Sequence, residues 1–166
     1  GHGPRNRLAF IMSHLAGLRV GEIASLVVKD VIDDRGEVRD QLRLSAAITK
    51  GGQARVVFLS DRLRREIVCY WRTLERTSPV SPLLITQKGR AFSANTLCQL
   101  MGRLYREAGL AGATSHSGRR WFITRLAHSG VSAKVIMTLA GHKHLGTTQR
   151  YIDVRDDMMR AAVELL

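Results

Sequence analysis

Acidic residues are scarce in this chain. Fourteen Asp and Glu stand against twenty-six Lys and Arg, a formal charge of +12 over 166 residues. A basic excess of that size argues for a polyanionic partner. There are only two cysteines, Cys69 and Cys98. That excludes a disulfide framework, and both fall in apolar helical patterns, so buried thiols in a reducing cytoplasm are expected. No apolar run approaches a membrane span and no signal peptide opens the chain, so no membrane association is expected. Aromatic residues make up 5%, and nothing resembles a base-stacking platform for single-stranded RNA. Proline plus glycine is not excessive, no segment is of low complexity and no internal repeat is visible, so disorder is not expected.

What is present is enough for one folded domain with its own core. The basic residues are spread along the chain rather than gathered in a tail. A folded basic face suits duplex DNA better than a disordered arm does, although charge alone leaves a ribosomal or other RNA-binding protein open.

Apolar spacing divides the chain into elements. Leu8, Ile11, Met12 and Leu15 form one stripe, predicting a helix over Arg7–Ala16 that Gly17 ends, with a second short helix from Glu22 to Leu26. Arg19 lies in the turn between them. The pattern then becomes strand-like from Val27 to Leu59, through Val27–Val28, Val31–Ile32, the alternating Leu42, Leu44 and Ala46, and Val56–Leu59. Gly51–Gly52 predicts a tight hairpin with Lys50 at its tip. Asp61 is the expected cap of a helix over Arg62–Arg76, and Ser93 of another running to about Ala108. Leu83–Ile85 is expected as a short buried extended piece. His116 and Arg119 sit near the N-terminus of a helix running through Ala127, three residues apart and able to face one side. A helix within Val131–Ala140 has Ser132 as its cap and Gly141 as its stop, which puts His142 just beyond a helix end. Thr147–Thr148 start a short element that carries Tyr151. Val154–Leu166 has Val154, Met158, Ala161, Ala162 and Leu165 at helical spacing. The fold class expected is α+β, mainly α, with a small antiparallel sheet.

Taken singly, these signals have ordinary readings: a core histidine, a solvated turn arginine, a solubilising lysine, a capping histidine. Together their wording is distinctive. Gly141-His142, Thr147-Thr148 and Tyr151 at this spacing, Gly17-Leu18-Arg19-x-x-Glu22, the Lys50 hairpin and His116-x-x-Arg119 resemble, in order, the catalytic motifs of the tyrosine recombinase (phage integrase) family. The resemblance covers nearly the entire chain, so residues 1–166 are expected to form one integrase-like catalytic domain. It departs at Gly118, where family members usually carry a bulky apolar residue, which is expected to loosen the turn. The family's helical DNA-binding domain has no counterpart ahead of the first helix, implying either an excised catalytic part or a likeness to short stand-alone inversion enzymes.

The resemblance implies a nucleophile, Tyr151, and donors on the phosphate, Arg19, Arg119 and His142. It also implies a general acid, Lys50, and an assisting residue, His116. Each suits the chemistry. Attack at phosphorus concentrates charge on the non-bridging oxygens, and guanidinium forks match them while staying charged. A phenol with a pKa of about 10 can both attack and leave. The 5′-hydroxyl leaving group needs a proton, and His116 can help to deprotonate the tyrosine or position the phosphate. Glu22 is expected to orient Arg19 or His116 rather than to catalyse. No cofactor is implied, and His142-x-His144 lacks further ligands for zinc.

By the same resemblance the protein would cut and rejoin double-stranded DNA through a 3′-phosphotyrosyl bond without metal or ATP. It would be a monomer when free and a tetramer on paired sites, a cytoplasmic protein of bacterial or phage origin. Residues 154–166 would either pack on their own core or dock on a neighbouring subunit. A type IB topoisomerase and a non-catalytic DNA-binding protein on the same fold are the alternatives.

Overall fold

The computed structural model describes residues 2–49, 51–74, 78–154 and 156–165. Its main core forms where the apolar faces of four helices meet: α1 (Gly3–Ala16), α2 (Val20–Ser25), α4 (Asp61–Trp71) and α5 (Ala94–Glu107). Leu8, Met12, Ile23, Leu63, Ile67 and Leu97 are almost fully enclosed there. Each such side chain contributes roughly 1.5–3 kcal/mol through removal from water. The first helix begins earlier than the apolar stripe alone predicts, because Pro4 pre-sets the backbone of its first turn. It ends at Gly17, which takes the left-handed conformation (φ 60°).

The segment Val27–Ile32 is a correction to the strand reading. A one-turn helix, α3 (Val28–Val31), replaces most of it because the Asp30 carboxylate accepts the Val27 amide hydrogen at 2.9 Å and closes the turn locally. Val27 and Ile32 keep only isolated bridges, to Pro82 and Val38. The sheet is the antiparallel pair β1 (Gln41–Leu44) and β2 (Arg55–Phe58), with Leu44 opposite Arg55. That register leaves residues 45–54 as the connection, so Gly51–Gly52 is not a two-residue hairpin. Ala46–Ile48 instead forms a 3-10 turn, Gly52 donates to the Thr49 carbonyl at 3.0 Å, and Thr49 Oγ1 donates to the Gln53 carbonyl at 2.8 Å. Lys50 lies outside the described residues.

Capping is off by one at α4: Ser60, not Asp61, accepts the Leu63 amide, and the helix ends at Trp71 rather than Arg76. Residues 75–77 are outside the described set. Leu83 and Leu84 are buried, and Ile85 makes an isolated bridge to Ala91. The expected caps Ser93 and Ser132 are in place. The cysteines are not both buried. Cys69 falls on the outer side of α4 and is exposed, and half-buried Cys98 donates to Ser115 Oγ at 3.2 Å.

A second, smaller cluster holds the C-terminal helices together. Ile123 and Ala127 of α6 (Ser117–His128) meet Ile136 and Ala140 of α7 (Ala133–Ala140). Tyr151 and Ile152 pack on it just after α8 (Leu145–Gln149). The final helix, α9 (Asp156–Val163), has no buried residue, and Val154, Met159, Val163 and Leu165 stand exposed. Among the described residues the fold is thus mainly helical with one small antiparallel sheet. No helix among the described residues is long and apolar enough to cross a membrane.

Candidate active site

Arg19 is placed by backbone and side chain together. It is the cap position of α2, where its amide donates to Glu22 Oε2 at 2.8 Å and its Nη1 donates to Glu22 Oε1 at 3.0 Å. Its Nη2 reaches the Gly141 carbonyl at 3.4 Å, across from the other end of the site. Glu22 is almost fully buried and accepts a third bond, from Arg55 Nη2 at 2.8 Å. Burial alone would raise the Glu22 carboxyl, but Arg55, the Arg19 amide and the Arg19 charge outweigh it and hold the group below the usual carboxylate range.

Arg119 enters from the first turn of α6. It is buried, and its two terminal nitrogens donate to the carbonyls of Gly17 and Ala140, at the C-terminal ends of α1 and α7. Those carbonyls have no helical partner of their own and carry the negative end of each helix dipole. The arginine therefore joins the two cores and stays charged. Burial, followed by the charges of Arg19 and Arg55, presses its pKa down to about 9, still well above neutrality.

Gly141 makes the next turn. It ends α7 at φ 63°, and a Cβ there would stand 2.5 Å from Arg55 Cδ, so only glycine fits without displacement. His142 follows, half-buried, with Nδ1 2.8 Å from Thr148 Oγ1. Burial and the charges of Arg119, Arg19 and Arg55 lower its pKa to about 4, so the imidazole is neutral at pH 7. The Tyr151 ring lies 6.3 Å from the His142 ring, nearly parallel, and half-buried on the small core. Among the described residues no hydrogen bond reaches its hydroxyl. A cavity of about 240 Å³ opens here, lined by Arg19, Thr49, Gly51, His142 and Lys143 among others.

The structure thus brings Arg19, Glu22, Arg119, His142 and Tyr151 into one neighbourhood. His116 occupies the cap position of α6 and is exposed, with no hydrogen bond or ion pair to its ring among the described residues. Gly118 corrects the expectation of loose packing. It is buried against α1, where an added Cβ would meet Ser13 Oγ and His14 Nδ1 at 2.6 Å, so the missing side chain permits a close helix contact. Sequence reasoning missed Arg55 and the role of Thr148. Arg55 had a signal: it shares the inward face of β2 with Val57, and a charge on an apolar face needs a partner. Thr148 is fully buried, which an adjacent pair of threonines does not disclose. A larger cavity of about 750 Å³, lined by Arg5, Lys88, Arg90, Arg103 and Arg106 among others, contains none of the predicted site residues.

Similar proteins extend this picture. Tyrosine recombinase XerA of Pyrococcus horikoshii is 32% identical over 164 residues, covering 96% of this chain and 54% of that protein. The crystal structure of XerA recombinase superposes with a TM-score of 0.76 at 21% identity, over 98% of this chain and 56% of that one. The Tn1549 transposon integrase, solved in complex with circular intermediate DNA, gives 0.71 at 20% identity, over 95% and 58%. The chain therefore spans about half the length of the relatives it matches. The phage integrase family profile matches residues 2–158, nearly the whole sequence, and the chain belongs to that family.

Proposed function

We propose that residues 1–166 form the catalytic domain of a site-specific DNA recombinase, which cleaves and rejoins strands through Tyr151. One observation carries the reading. Three guanidinium groups, those of Arg19, Arg55 and Arg119, gather around a single carboxylate, Glu22, beside a tyrosine. Buried charge is normally balanced, and a surplus of fixed cations suits an incoming anion. A phosphodiester supplies that anion, and the duplex DNA carrying it fits the +12 charge of the chain.

In this reading the Tyr151 oxygen bonds to phosphorus as the bond from phosphorus to the 5′-oxygen breaks. Arg19 and Arg119 take the non-bridging oxygens, where one lost donor typically costs on the order of 3 kcal/mol of transition-state stabilisation. With Nδ1 accepting the Thr148 hydroxyl, His142 keeps its hydrogen on Nε2 and donates it to the same oxygens. His116 receives the phenol proton and Lys50 protonates the departing 5′-oxygen, roles that rest on the family motifs. The reverse attack by a 5′-hydroxyl of a partner duplex restores the strand with no external energy source. Four protomers on paired sites would complete the exchange, in the cytoplasm, with the protein monomeric when free. The unburied apolar positions of α9 support docking of residues 154–166 on a neighbouring subunit.

The test is a covalent trap. Nicked suicide duplexes bearing the flanking genomic sites should yield an SDS-resistant adduct with the wild-type protein and none with Tyr151→Phe. An adduct that persists in the Phe variant, or never forms on cognate DNA, removes the proposal. Supplying a second duplex then separates recombination from simple relaxation.

A further inference from the structure

Arg55 lies outside the six motif positions, yet it touches two elements of the site, α2 and the end of α7. Its Nη2 donates to Glu22 Oε2 on α2, and its Nη1 donates to the Leu139 carbonyl at 2.8 Å, in the last turn of α7. Its side chain is 9% exposed, its Nε is buried without a partner, and its Cδ and Nε abut Gly141. The fork is turned into the protein, against the two segments that present Arg19 and His142. Glu22 divides its oxygens between the two arginines: Oε1 holds the Arg19 side chain, while Oε2 takes the Arg19 amide and Arg55. The other arm of the fork holds the turn leading into His142.

We propose that Arg55 is a positioning residue for strand cleavage, clamping Glu22 and the Leu139 carbonyl in one rigid fork so that Arg19 and His142 meet the same phosphate. It touches no substrate and acts through those two residues. The inference rests on the recombinase reading for its catalytic consequence, but not for its structural one. A planar guanidinium can hold two acceptors at a fixed angle, whereas an ammonium on a flexible stem cannot. Misplacing reacting groups by about 1 Å can cost on the order of 100-fold in rate. Arg55 is also one of the charges that disfavour protonation of His142, so its removal has a spectroscopic signature.

The experiment compares wild type, Arg55→Lys and Arg55→Gln in two assays. The first is single-turnover adduct formation on the suicide duplex at saturating DNA, where the rate constant does not depend on the fraction of protein that is folded. Both variants should be slowed by about 10–100-fold, with half-saturating DNA changed by less than about 3-fold. Restoration by Lys would mean that Arg55 only balances the charge of Glu22, and would overturn the proposal. So would a loss confined to DNA affinity. The second assay follows the His142 ring by NMR titration without DNA. Its midpoint should rise in Arg55→Gln, and an unchanged midpoint would show that Arg55 does not frame the histidine. Because this titration needs no activity, a wild-type protein that forms no adduct would defeat the recombinase reading and leave the hold on His142 to be decided by the titration alone.

Discussion

Replacing Glu22 by Gln removes a single negative charge without changing side-chain size, at the point where two arginines converge. The wild-type carboxylate accepts bonds of 2.8, 3.0 and 2.8 Å from the Arg19 amide, Arg19 Nη1 and Arg55 Nη2. The amide of Gln can accept at one atom only, and its NH₂ must point at a guanidinium. Breaking a buried ion pair by removing one partner costs about 3–5 kcal/mol. Arg19 is 22% exposed and partly screened, which favours the lower end. At about 3 kcal/mol, a domain of this size should melt about 6–12 °C lower.

The pH dependence follows from the depressed carboxyl. A group whose folded pKa lies below its unfolded value contributes stability above the unfolded value, and loses it as pH falls through the folded one. The gap between wild type and Glu22→Gln should therefore be full at pH 7 and narrow below the usual carboxylate range. Thermal denaturation by circular dichroism at pH 7, 5 and 3 measures it. A gap under about 0.5 kcal/mol at pH 7, within the range of ordinary surface substitutions, would refute the reasoning, as would a gap that persists undiminished at pH 3.

Other expectations are independent of that pair. By NMR, His142 should titrate near 4. Its depressed pKa means the unfolded chain takes up the proton first, so this histidine lowers stability as pH falls from about 6.5 towards 4. Bound inorganic phosphate or duplex should move the midpoint upward, and a midpoint above about 6 in the free protein contradicts the site's electrostatics. Gly118→Val should destabilise by about 1–3 kcal/mol in urea denaturation, because its Cβ would begin 2.6 Å from Ser13 Oγ. Adding Ser13→Ala should recover part of that loss. Gly141→Ala should cost about 1–3 kcal/mol for its left-handed backbone, and it should slow adduct formation more than it weakens DNA binding, because it displaces Arg55.

Much of the fold is legible in local side-chain chemistry. Ser93, Ser132, Gly17 and Gly141 mark helix ends because capping depends on a residue and the next turn, not on distant contacts. The failures have the same logic in reverse. At Val27–Ile32 the β-branched residues favoured strand, but one aspartate three residues on supplied a competing local bond. Around Gly51–Gly52 the turn chemistry was sound, but the pairing of Leu44 with Arg55, a longer-range fact, set the loop length. The motif arginines, His142 and Tyr151 could be named from wording alone. Their support could not: Arg55 is separated from Leu139 by 84 residues, and only the folded chain shows that they touch.

Tyr151 rides on the smaller of the two apolar clusters among the described residues. Four side chains, Ile123, Ala127, Ile136 and Ala140, are the buried apolar members of that cluster, against a far larger set around α1 and α5. Regions with few buried contacts open at lower free energy than the whole domain. Amides of α7 and α8 should therefore exchange with deuterium well before those of α1 and α5. The tyrosine can then be withdrawn by a sub-global fluctuation that leaves most of the domain folded. A melting curve would miss such a loss of competence, and protease nicking after residue 130 would be its first visible sign.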